Sequence, residues 1–153
     1  MNIIMKKILT ALFLAGMLLI SAVTNAQLRK IPAEVTDAFK DKYPSAAGVE
    51  WKDKLSVFQA NFLMSGVKYE ARFNTKGEWQ ETLKELDKDK LPDAVNDGFS
   101  KSKYTEWEVK EVSFVEKKDE SEQYRILVRK SDLEKKFLFF DKNGKLLRDS
   151  ITL

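Results

Sequence analysis

Chemistry on this chain has to proceed without histidine or cysteine, because the sequence holds neither. That removes Ser-His-Asp and Cys-His nucleophilic catalysis. It also removes the usual side-chain ligands for zinc, copper and haem. Carboxylates remain, but their spacing is unhelpful. Asp87-Lys88-Asp89 interleaves lysine with its acids and lacks the glycine and terminal glutamate of a calcium loop. Asp141-Lys142-Asn143-Gly144 reads as a type I′ or bulged hairpin turn. No acid pair is placed to converge in a pocket for general acid–base work. The expectation is a binding protein and not an enzyme, with no catalytic residue, cofactor or metal. The residues suited to binding are different ones. Phe137-Leu138-Phe139-Phe140 is apolar on both faces of a strand. Phe137, Phe139 and Leu127 then fall on a sheet face that is otherwise polar, as apolar anchors of partner sites do. Leu63, Arg72 and Arg125 share that face. These six residues form the predicted partner surface. Contact with the other half of the chain would also account for the apolar three.

The elements that must position them are written twice. Ile31-Pro32-x-x-Val35-x-Asp37-x-Phe39 returns sixty positions later as Leu91-Pro92-x-x-Val95-x-Asp97-x-Phe99. The stretch from Tyr69 to Trp79 returns loosely as Lys136 to Leu146, sixty-seven positions later. Each copy opens on a helix with apolar residues at i, i+4 and i+8, and its proline sits where a first turn tolerates it. Strands of period two follow. In the first copy they carry Val49 and Trp51; Phe58, Ala60 and Phe62; Tyr69, Ala71 and Phe73; then Trp79, with Leu83 near the end. The second copy carries Trp107 and Val109, then Val112 and Phe114, with a slip at Lys110-Glu111 that predicts a β-bulge. Tyr124, Ile126 and Val128 follow, then residues 137–140 and a last strand near Ile151. The fold class is α+β, two tandem α-β4 repeats over residues 27–88 and 89–153. The segment Lys84–Lys90 reads as a solvated connector, and residues 116–122 as a polar hairpin loop.

Alternation sorts the faces. Phe58, Ala60, Phe62, Tyr69, Ala71, Phe73, Trp79, Tyr124, Ile126, Val128, Leu138 and Phe140 belong under the helices, as do Trp51 and Trp107. Gln59, Asn61, Leu63, Glu70, Arg72, Gln123, Arg125, Leu127, Arg129, Phe137 and Phe139 belong on the other face, mostly polar as an open sheet face should be. The two halves, each near the lower size limit for a lone domain, are expected to share one core.

Residues 1–26 read as an export signal. Lys6 and Lys7 precede an apolar run from Ile8 to Ile20, and Thr24-Asn25-Ala26 predicts cleavage before Gln27. The run is short for a membrane span, so no stable membrane insertion is expected after cleavage, and the location is periplasmic or secreted. Removing the two leader lysines turns 27 cations against 24 acids into 25 against 24. With no basic stripe, nucleic acid is not an expected partner.

The pattern Pro32-x-x-Val35-x-x-x-Phe39-x-x-x-Tyr43-Pro44-x-Ala46-x-x-Val49-x-Trp51, followed by hairpins and Phe73-x-x-x-Gly77-x-Trp79, resembles the exported PepSY-like proteins, which are similar to the β-lactamase inhibitor protein. The resemblance covers the whole chain after the leader. It implies one curved antiparallel sheet with helices on one face. It also implies a protein or peptide partner on the open concave face, where the inhibitor uses aromatics and an acidic hairpin residue. Here that hairpin is Met64-Ser65-Gly66-Val67, with no acid, and the inhibitor's cysteines are absent. Asp53 is the nearest acidic substitute. The alternative partner is a small ligand or peptide held in a pocket between the repeats.

Overall fold

The structure is a computed structural model that describes residues 30–152. The leader and its cleavage site lie outside the described residues. Helix α1 spans Ala33–Lys42 and is followed by β1 (Ala47–Asp53), β2 (Val57–Met64), β3 (Val67–Asn74) and β4 (Trp79–Leu86). A single 3₁₀ turn, Lys88–Lys90, leads to α2 (Asp93–Ser100), then β5 (Glu108–Lys117), β6 (Glu122–Arg129), β7 (Lys135–Asp141) and β8 (Leu146–Ile151). The eight strands form one open antiparallel sheet in chain order, so the architecture is α+β. Among the described residues no helix is long and apolar enough to cross a membrane.

Both helices press on the same face of the sheet. The α1 stripe of Val35 and Phe39, with Tyr43 just beyond, buries against Phe58, Ala60, Phe62, Ala71 and Phe73. Leu91, Val95 and Tyr104 bury against Val112, Ile126, Val128, Leu138 and Phe140. Trp51 and Trp107 are partly buried at the margins of these two groups. The buried residues therefore divide into two clusters, one under each helix, where one shared core was expected. The β4–β5 pairing joins the halves, from Glu81 opposite Lys117 to Leu86 opposite Val112.

The turns hold the helices in place. Gly77 and Gly144 both have φ of +81°. A Cβ on Gly77 would lie 2.5 Å from the Glu34 carbonyl oxygen, and one on Gly144 would lie 1.9 Å from that of Ala94. Only glycine permits both the left-handed backbone and the close approach. Of the two turn forms expected at residues 141–144, the bulged one occurs. Gly144 alone in it has positive φ, its N–H donates to the Asp141 carbonyl, and the register slips between Phe139 and Phe140. The predicted bulge at Lys110 is present as well.

The connector reading of residues 84–90 is corrected. Lys84, Glu85 and Leu86 are strand residues, and Leu83 is mid-strand. The cause is a bulge at Gln80. Arg72 faces Glu81 but Phe73 faces Trp79, so Trp79 and Leu83 end on opposite faces despite their even spacing.

Candidate functional site on the open sheet face

The face away from the helices is a lattice of side chains whose rows follow from strand register. In one row Leu63 faces Lys68, Glu85 faces Ser113, Ser113 faces Arg125, Arg125 faces Phe139, and Phe139 faces Arg148. The Lys68–Glu85 ion pair, at 3.3 Å, closes the gap in that row. On one side lies the row Asn61, Glu70, Leu83, Val115, Gln123, Asp141. On the other side Glu111 faces Leu127 and Leu127 faces Phe137.

All six predicted partner residues stand on this face, but not together. Arg125, Leu127, Phe137 and Phe139 are neighbours on β6 and β7. Leu63 is exposed on β2, four strands from Arg125, or roughly 19 Å at the usual strand spacing. Arg72, on β3, is engaged by Glu70 and Glu81, each 2.6 Å away. The Glu70 contact is an ion pair without hydrogen-bond alignment at its Oε1.

The aromatics are covered by arginines. The Arg125 guanidinium lies 4.5 Å from the Phe137 ring centre, and that of Arg148 lies 3.4 Å from that of Phe139. Such stacking shields the ring and holds the planar cation. Phe139 is consequently only 9% exposed, while Phe137 and Leu127 stay half-buried. Arg125 itself is 8% exposed. It donates to Glu111 Oε1 at 2.6 Å and reaches the Ser113 hydroxyl at 3.4 Å, while its Nε has no acceptor among the described residues.

Sequence reasoning missed the centre of the face. Leu83 and Val115 sit opposite each other across the β4–β5 seam, 3% and 1% exposed. Over Leu83 runs an open groove of about 400 Å³, lined also by Phe137, Arg125, Glu70, Glu85 and Glu111 among others. A signal existed: Phe114-Val115, like Phe139-Phe140, puts apolar residues on both faces of one strand. Elsewhere Ser65 and Gly66 both have positive φ and make a two-residue I′ turn that carries no acid. Asp53 is used in its own turn, where Oδ1 accepts the Leu55 N–H at 3.0 Å. Among the described residues no group of three acids could hold a metal ion.

A single open antiparallel sheet with two helices on one face defines the structural class. Residues 56–148 match the family described as "Putative beta-lactamase-inhibitor-like, PepSY-like", and the chain belongs to that family. Solved structures agree. A DUF2874 family protein from Bacteroides ovatus is 32% identical, with 80% of this chain and 88% of that chain covered at a TM-score of 0.70. A BLIP-like protein from Bacteroides fragilis is 29% identical, covering 80% and 87%, with a TM-score of 0.67. A structure from Bacteroides eggerthii described as "putative periplasmic proteins" is 27% identical, covering 80% and 89%, with a TM-score of 0.71. No curated protein matches the chain.

Proposed function

We propose that this chain is an exported, non-catalytic binding module, built as two tandem α-β4 units, that holds a protein or peptide partner on its open sheet face. One observation carries the reading: the face opposite the helices bears a groove over buried Leu83, flanked by half-buried Leu127 and Phe137 and by guanidinium-stacked rings. A wet sheet face normally carries polar side chains, so an apolar centre there argues for a partner. The BLIP-like relative supports a protein as that partner. The acid-free Ser65-Gly66 hairpin argues against copying the inhibitor's own mode of entry into β-lactamase. The leader pattern and the periplasmic description of one relative support export. The groove is open along the face, which suits an extended segment better than an enclosed small molecule.

The test is a pair of variants, Leu127→Glu and Phe137→Glu, in the exported protein. Both should keep a melting point near that of the parent and lose capture of the envelope partner. Capture that survives both substitutions would refute the open face as the site.

A further inference from the structure

We infer that the occupant of the groove is an extended peptide segment bearing lysine or arginine at alternate positions. This rests on the open-face reading and deepens it. Glu70 lies opposite Leu83, Glu85 is two residues beyond Leu83 on β4, and Glu111 is two residues before Ser113, which faces Glu85. The three glutamates thus step diagonally over β3, β4 and β5, with about 7–8 Å between neighbouring strand positions. Alternate residues of an extended chain are spaced by about 7 Å. A segment laid along this diagonal therefore presents one side chain per carboxylate.

The charge balance selects a basic one. Among the residues that line the groove, three carboxylates, Glu70, Glu85 and Glu111, stand against two cations, Lys68 and Arg125. Arg72 is held between two glutamates, and Arg125 is almost wholly buried. Lys68 is the loose cation, 74% exposed and 3.3 Å from Glu85, so an incoming amine can replace it. The floor of Leu83 and Phe137 suits the aliphatic stem of a lysine or arginine. A second observation points the same way. The Nε of Arg125, a side chain that lines the groove, has no acceptor among the described residues. A peptide supplies both missing parts, a cationic head for the glutamates and a backbone carbonyl for Arg125.

The experiment uses the full exported protein and three capped peptides of alternating sequence, Lys-Thr, Gln-Thr and Glu-Thr. Binding is followed by amide and methyl chemical shifts at low and at physiological salt. The Lys-Thr peptide should bind best, move the Leu83 and Arg125 resonances, and weaken as salt rises. Glu85→Gln and Glu111→Gln should each weaken it about tenfold, one lost charge-assisted contact, while Glu116→Gln, on the helix face, should not. Preference for the Glu-Thr peptide in the same groove would overturn the basic-segment inference and leave the open face standing as a partner site. Equal binding of all three, binding unaffected by the two glutamate variants, or no binding at all would overturn it too. The Leu127 and Phe137 capture test then decides the open-face reading separately.

Discussion

The first half of the sheet keeps its aromatic rings under the helix, whereas the second half also places two of its own, Phe137 and Phe139, on the open face. Phe39 is the hub of the first cluster, with Tyr43, Trp51, Phe62 and Phe73 at centroid distances of 5.1 to 6.2 Å. The second cluster is mostly aliphatic: Val95, Val112, Ile126, Val128 and Leu138. On the open face the contrast reverses. The first half shows the Glu70–Arg72–Glu81 ion-pair chain where the second shows Arg125 on Phe137 and Arg148 on Phe139. The polar links differ as well. In the first half Trp79 Nε1 donates to the Thr82 hydroxyl at 2.8 Å, and that hydroxyl also bonds to the Tyr43 hydroxyl. In the second half the Tyr104 hydroxyl donates to Asp149 at 2.6 Å and Lys136 bonds the other oxygen at 3.0 Å. Both halves carry a buried cluster, and they differ most on the open face.

The largest expected effect tests the hub. Phe39→Ala should cost about 3–5 kcal/mol by cavity formation. The continuous β4–β5 ladder should keep denaturant unfolding a single transition, and two separated transitions would break that expectation. The turn glycines come next. Gly144→Ala should cost about 2–4 kcal/mol and Gly77→Ala less, since both demand a left-handed alanine but the clash at Gly144 is closer. Equal melting points for the two would contradict the geometry.

Smaller again is Phe137→Ala, at about 1 kcal/mol or less for a half-buried surface ring. A larger loss in thermal melts would make Phe137 a fold residue. The smallest effects separate the halves by pH. Hydrogen bonds from Tyr104 and Lys136 hold the Asp149 carboxyl below its ordinary value. Its contribution is present above the unfolded carboxylate pKa and disappears as pH falls through the lower folded value. Burial pushes the Tyr43 hydroxyl above its ordinary value. Its contribution is present below the unfolded tyrosine pKa and is lost as pH rises through the higher folded value. Asp149→Asn should therefore flatten the acid side of a stability-against-pH curve and Tyr43→Phe the alkaline side. An unchanged curve in either variant would remove that link.

Much of this was legible in the residues, for local reasons. The strands read at period two, the slip at Lys110 announced a bulge, and the face of every predicted partner residue follows from alternation alone. Leu83 was not legible, because the bulge at Gln80 reverses the faces between Trp79 and Leu83 and nothing at Gln80 signals it. The burial of Phe139 depends on Arg148, which stacks on it from the neighbouring strand through a register slip at Phe140. The groove depends on the β4–β5 seam, a pairing between segments that local periodicity does not relate.

The most direct test of the central claim is site-specific photo-crosslinking in the living envelope. A photoreactive residue replaces Leu127 on the open face in one protein and exposed Asn96 on α2 in another. The account predicts a discrete protein adduct from position 127 and none from position 96. An adduct from position 96 with none from position 127 would contradict it.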